Sequence, residues 1–175
     1  MAGIKYPQKP QNPETSVVQS PVAVYGARPG SGLLETVDHW LSVLRHLGLK
    51  AGTGSSLSQV REALKVGIPR SAFEDLRKEL GVNSDELADV LGIPPRTLAR
   101  RTDHFKPDES ERVLRLGSVM VKAREVLEDP EAVRRWMLAP KRALSGLTPL
   151  RCCDSEMGAR EVEALLGRIE HGVFS

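Results

Sequence analysis

Apolar residues recur every three or four positions in nearly every segment that follows the first thirty residues of this 175-residue chain. The first such run consists of Leu33, Val37, Trp40, Leu44 and Leu47. This spacing places apolar side chains on one face of a helix, and Gly48, Gly67 and Gly81 follow the ends of three successive runs. Alternating runs typical of strands are absent outside Ser16–Tyr25, a stretch too isolated to pair. The sequence therefore predicts an all-α fold.

Capping signals predict where the later helices begin. Asn83 is a good N-cap for one helix, and Asp129-Pro130-Glu131 combines a cap, a first-turn proline and an acid. Thr148-Pro149 and Ser155-Glu156 predict two further starts. Between these signals a long helix over residues 108–127 is predicted, with its buried stripe at Val113, Leu116, Met120, Ala123 and Leu127.

These features divide the chain into three parts. Residues 1–30 hold five of the twelve prolines among Gln, Ser and Gly, which predicts a flexible N-terminal arm. The arm is mildly basic, so both a DNA-contacting role and an inert tail stay open. A seam near residues 127–130 then separates a helical domain over residues 31–127 from a smaller one over residues 128–175.

Composition excludes several classes of protein. The net charge of +2 is too small for a strongly basic nucleic-acid coat, so DNA contact would require a local patch. No run of about 18 apolar residues predicts a membrane helix, and no secretory signal opens the chain. Cys152 and Cys153 are adjacent, which does not suit a disulfide between them, so a reducing cytoplasm is expected.

Metal, cofactor and catalytic sites are not predicted. The four histidines show no metal-ligand spacing with the cysteines, and His39 and His46 are expected on a helix surface. The Gly-rich stretch at residues 52–56 lacks the lysine of a phosphate-binding loop. Cys153 has no evident histidine partner, so an enzyme is not expected.

Residues 84–103 have the pattern of a helix-turn-helix. Ala88 is small enough for the crossing of two helices, Gly92 suits the turn, and Pro95 suits the first position of the second helix. The apolar residues that would hold the two helices together are Leu87, Leu91, Ile93 and Leu98. A recognition helix presents its N-terminal residues to base edges in the major groove. The predicted DNA-binding residues are Arg96, Thr97, Arg100 and Arg101.

Arg101 departs from the usual helix-turn-helix pattern, because it takes the place of the last apolar residue between the helices. A plain helical hairpin whose arginines face water, or one that forms a dimer, therefore stays open as an alternative. A single module has a small DNA interface, so a homodimer is expected if the element binds DNA.

The last segment, from Met157 to Ser175, has the pattern of an amphipathic helix. Its apolar stripe consists of Val162, Leu165, Leu166, Ile169 and Val173. Chain ends are usually polar and frayed, whereas this one finishes with Phe174 next to the last residue. Such an end must pack on something, and the chain's own core and a partner protein are both open.

Four segments carry a resemblance to a known family. They are VREALKVGIPRSAFEDLRKELGV, ELADVLGIPPRTLARR, AVRRWMLAPKRALSGLTPL and GAREVEALLGRIEHGVFS. In this order they resemble the Xre/MbcA/ParS antitoxins, the DNA-binding and toxin-neutralising halves of bacterial RES-type toxin–antitoxin pairs. The resemblance covers residues 58–175. It implies an N-terminal Xre/Cro-like helix-turn-helix domain followed by a small helical toxin-binding domain.

The resemblance also implies a partner and a mechanism. The partner toxins look like ADP-ribosyltransferase relatives that consume NAD, and the antitoxin's C-terminal domain blocks their substrate pocket. The helix-turn-helix is expected to bind the operon's own promoter. Residues 155–175 carry four acids and two arginines, a balance that suits a cationic dinucleotide pocket. The predicted toxin-binding residues are Arg168, Glu170, His171, Gly172, Val173 and Phe174.

Two other functions compete with this interpretation. The first is a stand-alone transcription regulator whose distal domain serves for dimerisation or for sensing a small molecule. The second is an enzyme, which the residue patterns disfavour. Genetic context distinguishes a stand-alone regulator from an antitoxin, because an antitoxin gene should lie beside a toxin gene.

Overall fold

A computed structural model describes residues 32–49 and 56–172. The helices are α1 (Gly32–His46), α2 (Ser56–Val66), α3 (Arg70–Leu80), α4 (Ser84–Val90), α5 (Pro95–Arg100), α6 (Pro107–Leu127), α7 (Pro130–Leu138), α8 (Pro149–Cys152) and α9 (Glu156–Glu170). A 3₁₀ turn, Arg142–Leu144, lies between α7 and α8. Over the described residues there is no β-strand, only an isolated bridge between Pro69 and His104. The predicted all-α fold is confirmed.

Helix α6 lies at the centre of the molecule. Helices α1, α2, α3, α7 and α9 all pack against it. The single buried stripe predicted for this helix is too narrow, because its middle is buried on nearly every side. The buried residues of that middle part are Val113, Leu114, Leu116, Gly117, Ser118, Val119, Met120 and Val121. Burying one such large apolar side chain contributes roughly 1.5–3 kcal/mol. Because several of them lie on α6, this helix organises the core.

The predicted capping residues start the helices where the sequence placed them. Each side chain accepts a hydrogen bond from a backbone N–H in the first turn, which otherwise has no partner within the helix. These caps are Asn83 for α4, Asp129 for α7, Thr148 for α8 and Ser155 for α9. Gly81 ends α3 in the left-handed conformation, with φ of 70°.

The prediction that His39 and His46 lie on a helix surface is wrong. The Nε2 atom of His46 lies 3.2 Å from the Glu79 carboxylate on α3, and its side chain is only 11% exposed. The Nε2 atom of His39 lies 2.7 Å from Ser118 Oγ on α6. Both imidazoles therefore join α1 to other helices, a role that helical spacing alone does not reveal.

Trp136 is half-buried and packs against the core. Three predictions fall outside the described residues: the arm over residues 1–30, most of the Gly-rich stretch at residues 52–56, and the positions of Val173 and Phe174. Among the described helices, none combines the length and hydrophobicity that crossing a membrane requires.

Candidate DNA-binding and toxin-binding surfaces

Helices α4 and α5 form the predicted helix-turn-helix. Ala88 is fully buried where the helices cross, and Gly92 takes the left-handed conformation of the turn, with φ of 58°. Pro95 is the first residue of α5, where its missing N–H is not needed. The predicted apolar contacts are confirmed as buried, namely Leu87, Leu91, Ile93 and Leu98.

Two arginines of α5 face solvent. Arg96 and Arg100 are exposed, and neither forms a side-chain hydrogen bond or ion pair with the described part of the chain. Thr97 lies between them and is half-buried. An unpaired guanidinium at a helix surface keeps its donors available, and arginine is the commonest bidentate ligand of guanine. These three residues form one accessible surface.

Arg101 lies apart from that surface because it is bound to α6. Its Nε and Nη2 atoms each donate to the carboxylate of Glu109, and both distances are 2.8 Å. Glu109 is buried and also accepts a 2.8 Å hydrogen bond from the Lys106 backbone N–H. The hydrogen bond from Arg101 holds the pKa of Glu109 below its usual value, although burial acts in the opposite direction. The ion pair thus replaces the apolar contact that the helix-turn-helix pattern leads one to expect.

Arg112 of α6 holds the turn between α4 and α5. Its Nη1 donates to the backbone carbonyls of Leu91 at 2.9 Å and Gly92 at 2.7 Å. Its Nη2 pairs with Asp108 at 2.9 Å, which fixes the direction of the guanidinium. The sequence pattern does not reveal this residue, because only the folded chain brings α6 beside the turn.

Arg70 holds the other end of α5. Its Nη1 donates to the backbone carbonyls of Leu98 and Arg101 at the carboxyl end of the helix. Its Nη2 also pairs with Glu74 on its own helix. Because α5 has six residues and no side-chain N-cap, its orientation depends on these contacts from α3 and α6.

The final helix α9 is packed through one face and exposed on the other. Ala159, Val162 and Leu166 are buried, and the helix packs mainly against α6. Gly158 allows the first turn to approach α8, because a Cβ there would lie 2.0 Å from the Cys152 carbonyl oxygen. This packing gives α9 a rigid base in its own chain.

Three of the four acids in the last segment bond to α6. The bonds join Glu156 to Arg115 at 3.1 Å, Glu163 to Ser118 at 3.0 Å and Glu170 to Lys122 at 2.7 Å. The contact with Lys122 lowers the pKa of Glu170. Glu161 is exposed and has no such bond among the described residues. The negative charge of the segment is therefore partly compensated within the chain.

The predicted toxin-binding residues meet at the carboxyl end of α9. Arg168 is half-buried, whereas Glu170, His171 and Gly172 are exposed. Gly172 ends the helix with φ of 67°. These four residues lie at the end of α9, directly before the last three residues of the chain.

Comparison with known proteins identifies both regions. Residues 59–117 match the antitoxin Xre-like helix-turn-helix domain, and residues 122–172 match the antitoxin Xre/MbcA/ParS C-terminal toxin-binding domain. Antitoxin Xre of Yersinia enterocolitica is 35% identical over 135 residues, which cover 75% of this chain and 89% of the relative. The chain belongs to the Xre/MbcA/ParS antitoxin family.

Two further relatives support the assignment of this chain to the antitoxin family. Antitoxin Xre of Photorhabdus laumondii is 31% identical over 135 residues, with the same coverage of both chains. Antitoxin Xre of Pseudomonas putida is 35% identical over 83 residues, which cover 46% of this chain and 52% of the relative. The chain is thus one half of a toxin–antitoxin pair, with a helix-turn-helix domain and a toxin-binding domain.

The cysteines of the antitoxin are buried small residues. Cys153 Sγ donates to the Pro149 carbonyl oxygen at 3.3 Å, and burial raises its pKa to about 12. Cys152 is buried as well. A thiol with this pKa stays protonated at neutral pH, so Cys153 is a poor nucleophile.

A cleft of about 600 Å³ is lined by residues of α1, α2, α6 and α9. Its walls include His39, Ser118 and Glu163, which form one chain of hydrogen bonds. Arg115 and Glu156, also in the wall, are paired with each other. These polar groups already bond to one another and so connect α1, α6 and α9 across the cleft. The cleft therefore presents few open donors or acceptors to a small molecule.

Proposed function

We propose that this antitoxin neutralises an NAD-consuming RES-domain toxin by covering the toxin's active site with its C-terminal segment. We also propose that it represses its own operon by binding promoter DNA through α5, in the bacterial cytoplasm. The observation that carries the first proposal is the exposed carboxyl end of α9, mounted on a buried face inside the toxin-binding domain.

The packing of α9 against its own chain favours the toxin contact. A packed helix loses little conformational freedom when its end enters a partner, which favours affinity. Arg168 and His171 would lie at the rim of the toxin's cleft, and Val173 and Phe174 would enter it. Glu170 would exchange Lys122, now at 2.7 Å, for a cation of the toxin's dinucleotide pocket.

The exposed arginines of α5 favour the DNA contact. Arg96, Thr97 and Arg100 would contact base edges and phosphates, whereas Arg101 would hold α5 in place through Glu109. A single helix-turn-helix buries a small area on DNA, so we propose a homodimer on the operator.

Deletion of residues 168–175 tests the toxin contact. The truncated antitoxin should no longer protect cells that express the toxin from the neighbouring gene, because the segment that enters the pocket is gone. The measurement is growth after induction of both genes, with the full chain as control. Full protection by the truncated chain would reject the proposal.

The rival function is a stand-alone regulator with a distal dimerisation or sensing domain. It predicts that tagged protein purifies from its native host without a second chain and that no toxin gene adjoins its own. The match of residues 122–172 to a toxin-binding domain favours the antitoxin instead.

A further inference from the structure

The loop between α7 and α8 is held in one conformation by its own backbone. The Lys141 N–H donates to the Leu147 carbonyl at 3.0 Å, and the Gly146 N–H donates back to the Lys141 carbonyl at 2.9 Å. Ser145 and Gly146 both take left-handed conformations, with φ of 56° and 83°. Leu144 is buried beneath, and the 3₁₀ turn packs beside α9. A loop fixed in this way needs little ordering when it binds.

Lys141 connects an exposed apolar residue of this loop with an aromatic one, because its N–H bonds to Leu147 and its ammonium lies over Trp136. Leu147 is 53% exposed, which is unusual for a large apolar side chain next to a packed core. The Lys141 Nζ lies 5.2 Å from the centre of the half-buried Trp136 ring. Burial lowers the pKa of Lys141, as expected for an amine partly withdrawn from water. Trp136, Lys141 and Leu147 are here called the loop platform.

The chain around the loop platform is basic throughout. Residues 132–151 contain five cations and no acid, namely Arg134, Arg135, Lys141, Arg142 and Arg151. Arg134 pairs with Glu131, and Arg151 pairs with Asp89. Arg135 and Arg142 are exposed and form no ion pair within the described chain. The loop platform therefore has unpaired positive charge beside it.

We infer that the loop platform is a second anchor for the toxin, separate from the end of α9, and that it docks on an acidic surface of the toxin that surrounds an apolar socket. Leu147 enters the socket, and Arg142 faces the carboxylates. This inference builds on the proposed function, because it assumes that the partner is the toxin.

Three observations favour a protein partner. The loop platform lies within the toxin-binding match at residues 122–172, and its 3₁₀ turn packs against α9, so the two anchors belong to one unit. An exposed leucine in a loop that also carries an exposed arginine suits a desolvated protein contact, since aromatic residues and arginine dominate interface energetics. Nucleic-acid phosphates would use the cations but leave Leu147 without a partner.

The test measures affinity between the purified full-length antitoxin and the toxin encoded by the adjacent gene. Leu147→Asp should weaken binding about tenfold or more, because the aspartate meets like charge and leaves the socket empty. Arg142→Glu, a change at an exposed site that does not affect packing, should weaken binding and reduce its dependence on salt. Val66→Asp is the matched control, since Val66 is a 60% exposed apolar residue on α2.

The outcomes separate the inference from the proposed function. Wild-type affinity in both Leu147→Asp and Arg142→Glu would overturn the second anchor while leaving the tail contact in place. Loss of promoter binding with unchanged toxin affinity would overturn it too, because the loop platform would then serve DNA. If the wild-type chain itself bound no toxin, the proposed function would fall and the inference with it.

Discussion

Glu109 is a buried carboxylate that the fold keeps charged. Two hydrogen bonds from Arg101 and one from the Lys106 backbone compensate for the loss of water around it. Its pKa is lowered chiefly by the hydrogen bond from Arg101. A carboxylate with a lowered folded-state pKa contributes stability above its unfolded-state pKa, and that contribution disappears as the pH falls through the folded-state value.

Glu109→Gln should therefore lower the free energy of unfolding by about 2–3 kcal/mol at pH 7, since a hydrogen-bonded charge is lost beside Arg101. The variant should also lose less stability than the wild type between neutral and acid pH. Urea unfolding at several pH values measures both effects. Glu161→Gln, at an exposed acid of α9, is the control and should keep the wild-type pH dependence.

A second prediction concerns Arg112, which holds the turn between α4 and α5. Arg112→Ala removes two hydrogen bonds to the carbonyls of the α4–α5 turn, so α5 should become more mobile. Amide hydrogen exchange in α5 should rise while exchange in α9 stays unchanged. Arg160→Ala removes an exposed arginine that pairs with Glu156 and serves as the control. Equal exchange of α5 in the wild type and in Arg112→Ala would contradict the role given to this residue.

At the scale of elements, periodicity and capping predicted most of the helices. Glycine stops and caps depend on neighbours a few residues away, so the sequence contains them directly. The contacts that orient α5 could not be predicted in this way, because they join residues far apart in sequence. Arg70 lies 28 residues from Leu98, and Arg112 lies 20 residues from Gly92. The same limit applies to Glu170, whose partner Lys122 is 48 residues away.

The predicted role of α5 is tested by its two free arginines. Arg96→Ala and Arg100→Ala should each weaken binding to promoter DNA about tenfold, because each removes exposed donors that the proposed complex uses on DNA. The measurement is a titration of labelled promoter DNA at fixed salt, since phosphate contacts make affinity depend on ionic strength. Arg160→Ala on α9 should bind as the wild type does. Unchanged affinity in both α5 variants would reject α5 as the recognition helix.

At the scale of the whole molecule, α6 joins the helix-turn-helix domain to the toxin-binding domain. Its first half holds α5 through Glu109 and Arg112, and its second half holds α9 through Lys122. The helix-turn-helix match ends at residue 117 and the toxin-binding match begins at residue 122, both within α6. The division at residues 127–128 stays a prediction, but the core is shared across α6.

A shared core predicts one unfolding transition. Trp40 lies on α1 and Trp136 on α7, and these are the two tryptophans of the chain. The variants Trp40→Phe and Trp136→Phe each leave one fluorescent probe. Each variant's fluorescence midpoint in urea should coincide with its own circular dichroism midpoint. A fluorescence midpoint that differs from the circular dichroism midpoint of the same variant would show that the two regions unfold independently.

Intracellular NAD tests most directly whether the antitoxin neutralises an NAD-consuming toxin by contact. The adjacent toxin gene is expressed from an unrelated promoter, alone, with the full antitoxin, or with an antitoxin carrying Arg96→Ala and Arg100→Ala. NAD should fall with the toxin alone and stay at its uninduced level with either antitoxin, because protection needs the C-terminal region and not α5. A fall in NAD despite the full antitoxin, or protection that requires the α5 arginines, would contradict this account.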